Sequence, residues 1–363
     1  MTDKEAMDLA LKEAKKAKGF VSPNPCVGCV ILDKNKKFLS SGFYAHYGAI
    51  HAEIMALNKL KNKKLLNQAH LFVTLEPCVH FGQNPPCVES LEKYSWGSIT
   101  YGIEDPNPQV SGRGIKYLKA KGFLVKKTDF FKLELKRFYE AFALNIKEKR
   151  SFFALKTASS LDSVATLNHG ESQWITEASS KNISHNLRLS FDAILIGVES
   201  FLHDNPRLNI RKEGLEKKNK VVLLDPLGRS LPLLSKSRLL TVRSLKDIYV
   251  VSSCREEKLK KSGISFISVP KGEINLKALS YKLYEQKIYS VLVEGGIKTF
   301  SYFLKQKASS RLYQIINPSF LGGYRGRYWT ENLNVGNLKD KIRLKSLEIL
   351  KTSPDLFLTG ILS

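Results

Sequence analysis

The stretch AHLFVTLEPCVHFGQNPPCVE (69–89) carries the pattern that decides the fold of the N-terminal half. Its first part, AHLFVTLE (69–76), is an apolar run of strand length, which predicts a buried β-strand. Cys78 follows this strand, and Cys87 lies in PPCVESLEKY (85–94), where prolines before an amphipathic run predict the start of a helix. The stretch therefore predicts a strand whose carboxyl end leads to one thiol and then to a helix that begins near another.

A histidine and a glutamate upstream of this strand have the spacing of a metal site. HAEIMALNKL (51–60) predicts a helix whose first turn contains His51 and Glu53. One imidazole and two thiolates suit Zn²⁺ and leave a fourth position open for water, so we expect Zn²⁺ on His51, Cys78 and Cys87. Zn²⁺ lowers the pKa of such a water molecule toward ~7, and Glu53 is placed to pass its proton to a leaving amine. These residues predict hydrolytic release of ammonia from an amidine-like ring carbon.

The order of these residues is more specific than any one of them. H-x-E followed by P-C-x-x-C is the signature of zinc-dependent nucleobase deaminases, although this chain places eight residues between its cysteines. A structural zinc site would need a fourth protein ligand. We therefore favour a catalytic metal over a structural one.

A second cysteine pair, Cys26 and Cys29, has the C-x-x-C spacing of redox pairs and zinc knuckles. CVGCVIL (26–32) is predicted to be a strand, however, and residues three apart on a strand point to opposite faces. We therefore expect Cys29 to lie in the core and Cys26 to have no metal-binding role.

Composition limits the class of protein. The 363 residues suffice for two domains, and 43% hydrophobic residues allow a substantial core in each. The formal charge of +24 is typical of nucleic-acid binding, but the lysines are scattered and not interleaved with aromatic residues. We therefore expect a solvated basic surface that attracts small phosphorylated substrates, with nucleic acid an unlikely partner. The sequence has no signal peptide, no apolar run of ~20 residues and an odd number of cysteines, which favours a cytoplasmic protein with no membrane partner.

The order of predicted elements indicates two α/β domains. Thr2 and Glu5 have capping-box spacing at the start of a first helix, which is expected to end at Gly19. Strands and helices then alternate up to a charged helical connector at 129–150, so we expect a mostly parallel sheet and domains at 1–150 and 151–363. In the second half, strands are predicted at FDAILIGV (191–198), KVVLLD (220–225), DIYVVSS (247–253) and SVLVEGG (290–296), and later at LEILKTS and LFLTGIL.

The first half resembles the deaminase half of the bifunctional deaminase–reductases of riboflavin biosynthesis. The matching strings are PNPCVGCVI (23–31), HAE (51–53), TLEPCVHFGQNPPC (74–87) and DPNPQVSGRG (105–114). The resemblance implies a cytidine-deaminase-like, three-layer α/β/α domain with one Zn²⁺ on the expected ligands and Glu53 as the proton carrier. It also implies substrate contacts from Asn24, His80, Asp105 and Asn107.

The second half resembles the reductase half of the same family, whose α/β fold is similar to that of dihydrofolate reductase. The matching strings are LKTASSLD (155–162), GESQWIT (170–176), HNLRLSFDAILIG (185–197), DNPRLNIR (204–211), LLDPLGRSLP (223–232) and VEGG (293–296). The resemblance implies NADPH contacts from Ala158, Trp174, Ser200, Asp204, Gly295 and Gly296. It implies substrate contacts from Ser172, Arg188, Leu208, Arg211 and Glu294.

The residue types support part of this assignment. Two glycines after a strand bring backbone N–H groups close to a cofactor phosphate, and guanidinium groups bind phosphate through paired hydrogen bonds. The alternative role for Arg188 and Arg211 is an ion pair, and the alternative for Trp174 is a place in the core.

Several positions depart from the family pattern. Gln83 and Asn84 replace a basic residue and a threonine before PPC, and Tyr44 replaces a histidine seven residues before H-x-E. In the reductase half, Ser163 replaces the glycine of an Asp-Gly pair, and Ser200 replaces a threonine.

The sequence thus predicts two consecutive reactions on one chain. The first half would hydrolyse the exocyclic amine of a phosphoribosylamino-pyrimidine, and the second would reduce the ribosyl group of the resulting uracil with NADPH. The family generally self-associates, so we expect a homo-oligomer. Ser163 leaves open a single-function deaminase with a degenerate second half, and the positive charge leaves open a deaminase of nucleic-acid bases.

Overall fold

A computed structural model describes residues 1–167, 175–211, 217–254, 263–323 and 326–362. The chain folds as two compact units, Met1–Lys149 and Arg150–Ser363, each built around its own β-sheet. Ser172 and Trp174, two of the expected contact residues, lie outside the described residues. Within the described ranges, no helix has the length and apolar character needed to cross a membrane.

The first unit begins with the helix that the sequence predicts. Thr2 and Glu5 form a capping box at the start of α1 (Asp3–Lys16), in which each side chain accepts a hydrogen bond from the other residue's backbone N–H. The apolar face of the helix is buried. The helix ends shortly before Gly19, which adopts a positive φ of 86°.

A five-stranded mixed sheet follows, in the spatial order β2-β1-β3-β4-β5. Its strands are β1 (Gly28–Leu32), β2 (Phe38–Phe43), β3 (Ala69–Leu75), β4 (Trp96–Ile103) and β5 (Val125–Lys127). β1 is antiparallel to β2 and β3, whereas β3, β4 and β5 are parallel. Four of the five strands, β2 to β5, therefore run in one direction and β1 alone is reversed by the hairpin, which agrees with the expectation of a mostly parallel sheet.

Four further helices complete this unit: α2 (Ala52–Asn58), α3 (Cys87–Leu91), α4 (Arg113–Ala120) and α5 (Lys132–Glu148). The sequence reasoning did not predict α4. α5 corresponds to the segment expected as a connector, and it packs into the first unit, where Leu135 and Tyr139 join Leu11 and Leu75 in a buried cluster.

Of the C-x-x-C pair, Cys29 lies in the core as predicted. Cys29 on β1 is fully buried in the core, and Cys26 before the strand is half-buried. Neither belongs to the group of side chains that could hold a metal ion among the described residues.

The second unit contains a nine-stranded sheet in the order β11-β10-β9-β8-β12-β6-β13-β16-β15. Its parallel strands are β6 (Phe152–Ser160), β8 (Ala193–Gly197), β9 (Lys220–Leu224), β10 (Ile248–Ser252), β11 (Ser265–Ser268), β12 (Ser290–Val293) and β13 (Arg311–Asn317). β16 (Leu356–Leu362) is antiparallel to β13 and to the edge strand β15 (Leu344–Lys351), and β7 (Val164–Leu167) pairs with β14 (Gly326–Tyr328). Successive residues of a strand point to opposite faces of the sheet, and both faces of this sheet are buried. Ile194 and Leu195, for example, belong to two different apolar clusters.

Among the described residues, the α-helices of the second unit are α6 (Ala178–Ser190), α7 (Val198–Asp204), α8 (Leu231–Leu234), α9 (Leu276–Glu285) and α10 (Ile297–Lys305). α7 follows β8 directly, and α10 follows the turn after β12. Because β8 and β12 are neighbouring parallel strands, their carboxyl ends meet at one edge of the sheet, where ligands of such sheets bind.

Candidate functional sites

The three expected metal ligands converge in the first unit. His51 is the N-terminal cap residue of α2, Cys78 follows β3, and Cys87 is the first residue of α3. The His51 Nδ1 atom lies 3.0 Å from the Cys87 Sγ and 3.5 Å from the Cys78 Sγ, and all three ligand atoms lie within 4.8 Å of one another. A tetrahedral Zn²⁺ with ordinary bond lengths separates a nitrogen ligand from a sulfur ligand by roughly 3.5 Å. The three side chains therefore fit one Zn²⁺ ion.

The electrostatics of the site favour the thiolate form of Cys78 and the protonated form of the buried Glu53. A hydrogen bond with the Cys87 thiol lowers the pKa of the Cys78 thiol to about 4, and the His51 imidazole acts in the same direction. The backbone N–H of Cys87 also donates to the Cys78 Sγ at 3.3 Å. Glu53 in the first turn of α2 is 3% exposed, and this burial raises the pKa of its carboxyl group against the opposing effect of His51.

Glu76 organises the loops around the metal ligands, a role that the sequence reasoning missed. Its buried carboxylate accepts hydrogen bonds, 2.9 to 3.3 Å long, from the backbone N–H groups of Asp105, Gly112, Gly114 and Ile115. Gly114 packs against this point of the chain, since a Cβ atom there would lie 2.0 Å from the carbonyl oxygen of Pro77. Glu76 therefore ties the N-terminus of α4 to the segment that carries Cys78. The available signal was a glutamate at the end of an apolar strand.

The expected substrate contacts of the first unit lie on three loops, with Asp105 and Asn107 on the same one. Asn24 is half-buried and donates a hydrogen bond from Nδ2 to a tyrosine hydroxyl at 2.8 Å. Asp105 is buried, accepts a hydrogen bond from the backbone N–H of Asn107 at 2.8 Å, and has its carboxyl pKa raised to about 6 by burial. The charge of Cys78 adds to this shift, so Asp105 lies in the electrostatic field of the metal ligands. His80 is exposed in the loop between the two cysteines.

Three of the expected NADPH contacts meet in the second unit, at the ends of β8 and β12. The backbone N–H of Gly296, which caps α10, donates to the Ser200 Oγ at 3.0 Å. A Cβ atom at Gly295 would lie 2.6 Å from a threonine side chain of α10, and one at Gly296 would lie 2.9 Å from the Ser200 Oγ, so a larger residue at either position would displace the side chain that it meets. Ala158 lies on β6, and Asp204 at the end of α7 contacts the ring of its neighbour His203.

Arg188 and Glu294, both expected at the substrate, form a largely buried ion pair. Arg188 Nη1 also donates to the carbonyl oxygen of Asn209 at 2.9 Å. Burial alone would raise the pKa of Glu294, but the guanidinium lowers it to about 2. Nearby in the sequence, Leu208 is buried with a positive φ of 48°, and Arg211 is exposed. Arg188 thus forms the ion pair that the sequence left open as its alternative, and the contact expected between Arg188 and the substrate stays a prediction.

Lys156 is a candidate that the sequence reasoning missed. It lies on the central strand β6, which neighbours the strand leading to Glu294. Burial lowers the pKa of its ammonium group, while Glu294 acts in the opposite direction. The signal was a lysine inside an otherwise apolar and small-residue strand, FFALKTASS (152–160).

Comparison with protein families matches each unit separately. The model of the cytidine and deoxycytidylate deaminase zinc-binding region matches residues 1–103, and the model of the RibD C-terminal domain matches residues 151–358. The chain is 35% identical to the riboflavin biosynthesis protein RibD of Aquifex aeolicus, over 96% of this chain and 94% of that protein. It is 29% identical to the RibD of Escherichia coli, over 99% of each chain.

Two solved structures match over nearly the whole chain. Acinetobacter baumannii RibD in its first form gives a TM-score of 0.83 at 29% identity, covering 99% of both chains. A diaminohydroxyphosphoribosylaminopyrimidine deaminase/5-amino-6-(5-phosphoribosylamino)uracil reductase from Thermotoga maritima gives a TM-score of 0.82 at 29% identity, covering 99% of this chain and 98% of that one.

These matches confirm the expected fold class, a cytidine-deaminase-like α/β/α unit followed by a dihydrofolate-reductase-like α/β unit. Because the reductase match spans the second half, they favour two activities over a deaminase with a degenerate second half and over a deaminase of nucleic-acid bases. The first activity uses Zn²⁺ and the second uses NADPH. The chain therefore belongs to the RibD family and is a bifunctional deaminase and reductase of riboflavin biosynthesis.

Proposed function

We propose that the domain at 1–150 deaminates diaminohydroxyphosphoribosylaminopyrimidine and that the domain at 151–363 reduces the product, 5-amino-6-(5-phosphoribosylamino)uracil. The observation that carries the proposal is the convergence of His51, Cys78 and Cys87 beside the buried Glu53. One imidazole, two thiols and an acid in one place are the side chains that a hydrolytic zinc deaminase needs.

In the deaminase site, His51, Cys78 and Cys87 would hold one Zn²⁺. Bound Zn²⁺ supplies the Lewis acidity that activates water at neutral pH. The carboxylate of Glu53 takes the proton from the attacking water and delivers it to the nitrogen that leaves as ammonia. Because Glu53 is shielded from bulk solvent, this proton stays in the site between the two transfers.

The pyrimidine ring is recognised by polar groups that surround the metal ligands. We assign ring contacts to Asn24 and Asp105, and contacts at the more open side of the substrate to His80 and Asn107. Asp105 suits this role because its buried carboxyl group is close enough to Cys78 for the thiolate charge to affect its pKa. The carboxyl group is also fixed by a hydrogen bond from the backbone N–H of Asn107, in the same loop. A polar group fixed in this way distinguishes ring donors from ring acceptors.

In the reductase site, the turn at Gly295 and Gly296 binds NADPH phosphate through backbone N–H groups, together with the hydroxyl of Ser200. We assign the remaining NADPH contacts to Ala158, Trp174 and Asp204. NADPH supplies the hydride that reduces the open-chain imine of the ribosyl group. The chain aligns the two reactants, so no nucleophilic side chain is needed.

The substrate phosphate is bound by Arg211, whose exposed guanidinium can make paired hydrogen bonds to phosphate oxygens. Arg188 fixes the preceding loop through the carbonyl oxygen of Asn209 and is itself held by Glu294. Lys156 is suited to donate a hydrogen bond to the substrate beside Glu294. We assign the remaining substrate contacts to Ser172, Arg188, Leu208 and Glu294.

The chain is also proposed to work as a cytoplasmic homo-oligomer. Cys78 and Cys87 must remain reduced to bind Zn²⁺, which a reducing compartment ensures. The edge strand β15 exposes Leu347 and Ile349, at 58% and 61%, and an apolar strand edge of this kind favours association with a second chain. Light scattering after size-exclusion chromatography decides between a monomer and an oligomer.

The test is to incubate the purified chain with the diaminopyrimidine ribotide, with and without NADPH, and to identify the products by mass spectrometry. Without NADPH, the expected products are ammonia and the phosphoribosylamino-uracil; with NADPH, the ribityl compound replaces the uracil. Failure of zinc-loaded protein to release ammonia would refute the deaminase assignment. Failure to oxidise NADPH when supplied with the uracil would refute the reductase assignment.

A further inference from the structure

The segment that leads into the metal ligand His51 is held by two side chains outside the proposed machinery. This histidine segment comprises residues 44–51. Its first residue, Tyr44, is 4% exposed, and the tyrosine hydroxyl accepts a hydrogen bond from the backbone N–H of Gly48 at 2.8 Å. The same hydroxyl accepts the 2.8 Å hydrogen bond from the Asn24 Nδ2. The ring of Tyr44 also meets the ring of His51 edge to face, with centroids 5.7 Å apart.

Asn84 holds the histidine segment from the opposite loop. Its Nδ2 donates to the carbonyl oxygen of Ala49 at 2.8 Å, and Ala49 lies two residues before His51. The backbone carbonyl oxygen of Asn84 accepts a hydrogen bond from the backbone N–H of Gly82 at 3.3 Å, so the asparagine is itself fixed within the loop between Cys78 and Cys87. Asn84 therefore links the loop of two metal ligands to the segment of the third.

Both anchors act on one turn. Gly48 has a φ of 84°, a conformation that favours glycine, and a side chain there would approach Gln83. The backbone N–H of Gly48 is bonded to Tyr44, and the carbonyl oxygen of the next residue is bonded to Asn84. Loss of either bond removes one tie on this turn, at the exposed N–H of Gly48 or at the half-buried carbonyl group of Ala49, and so loosens the same turn.

We infer that Tyr44 and Asn84 are positioning residues for the deamination. Together they fix the turn that delivers His51 to the metal, and Tyr44 additionally orients the Asn24 amide toward the pyrimidine. This inference rests on the proposed roles of His51 and Asn24. It assigns a function to Tyr44 and Asn84, two positions at which the chain departs from its family's pattern.

The first test compares Tyr44→Phe with the unchanged full-length protein in its zinc-loaded form. Removing the hydroxyl frees the Asn24 amide, so the KM of deamination is expected to rise about tenfold while kcat changes little. Release of zinc to a chromogenic chelator is expected to become several-fold faster, because the turn at Gly48 is loosened. Tyr302→Phe is the matched control, since it removes a hydroxyl that donates to the carbonyl oxygen of Ile274 in the reductase unit at 2.6 Å.

The second test uses Asn84→Ala, which removes the bond to Ala49 but leaves the Tyr44–Asn24 contact. Zinc release is expected to become several-fold faster with little change in the KM of deamination. In the double variant, the acceleration of zinc release is expected to fall below the product of the single effects, because both anchors hold one turn. Asn84→Thr, which retains a hydroxyl donor, is expected to restore part of the zinc retention.

The outcomes separate this inference from the proposed function. Unchanged KM in Tyr44→Phe, or zinc-release effects that simply multiply in the double variant, would overturn the inference while wild-type deamination stands. A wild-type protein that binds no zinc or releases no ammonia would overturn the proposed function and this inference together.

Discussion

Arg188 donates two parallel hydrogen bonds to the carboxylate of Glu294, and the Nε–Oε1 and Nη2–Oε2 distances are both 2.8 Å. The two side chains are 15% and 8% exposed, so neither charge is well solvated. Removing one partner of such a pair typically costs about 3–5 kcal/mol, because the other charge stays buried without its counter-charge. Glu294→Gln is therefore expected to lower the temperature at which the reductase activity is lost, with little effect on the thermal inactivation of the deaminase in the same chain.

The matched control for this prediction is Glu331→Gln. It breaks a more exposed ion pair, with Arg327, and surface pairs contribute about 0–1 kcal/mol. The two variants should differ clearly in the midpoint of thermal inactivation of the reductase. Equal midpoints would mean that the Arg188–Glu294 pair contributes no more than a surface pair.

Glu53→Gln separates the two activities. The amide cannot accept the proton from water, so ammonia release is expected to fall by about 10²–10⁴-fold. NADPH oxidation with the pre-formed uracil substrate should keep its wild-type rate, since Glu53 belongs to the first unit and the Gly295–Gly296 turn to the second. Zinc content, measured by atomic emission, serves as the control for intact ligand geometry. Loss of both activities together would contradict two independent sites.

Short sequence patterns were sufficient to predict those elements and residues whose structure depends on residues nearby in the sequence. The Thr2–Glu5 capping box and the apolar run of β3 appear where the spacing predicts them, because hydrogen bonds and burial within a few residues determine both. The metal ligands were found for a related reason: His51 and Cys87 each stand at the start of a helix, and Cys78 follows the strand. Each of these positions is visible in a short window of sequence.

The features that the sequence did not predict depend on distant partners. α4 begins at Arg113 after a left-handed Gly112, and the carboxylate that accepts its first N–H groups belongs to Glu76, 36 residues before Gly112. The pairing of Arg188 with Glu294 spans 106 residues. No window of the sequence contains both members of such a pair, so their contact is defined by the tertiary structure alone.

Glu76→Gln tests how strongly the hydrogen bonds from the N-terminus of α4 to Glu76 stabilise the segment that carries Cys78. Glutamine keeps one acceptor oxygen and loses the negative charge. Some of the four backbone N–H groups that donate to Glu76 therefore lose their acceptor. We expect the first unit to lose about 2 kcal/mol of stability, since hydrogen bonds to charged groups contribute about 1.5–3 kcal/mol each. Thermal inactivation of the deaminase is the measurement, and Glu104→Gln, at an exposed ion pair with Lys127, is the control. A midpoint no lower than that of the control would contradict the capping role.

The carboxyl group of Asp105 predicts a pH dependence in zinc-free protein. Burial raises its pKa to about 6 in the folded state, whereas the unfolded chain ionises near ~3.9. Between these values the folded state binds the proton and the unfolded state has released it, so this contribution to stability is complete at low pH and lost as the pH rises through 6. The loss amounts to about 2 kcal/mol between roughly pH 4 and pH 7.5.

Asp105→Asn should remove this dependence, because an amide does not titrate and its oxygen can still accept from the backbone N–H of Asn107. The free energy of opening is measured by hydrogen exchange of peptides that cover β3 and β4, in chelator-treated protein at both ends of the pH range. Asp129→Asn is the control, since the side chain of Asp129 is 88% exposed. Wild type and Asp105→Asn should differ most at the high end of the pH range, where the wild type has a buried negative charge that the amide lacks. Parallel pH profiles for these two proteins would show that Asp105 ionises alike in the folded and unfolded states.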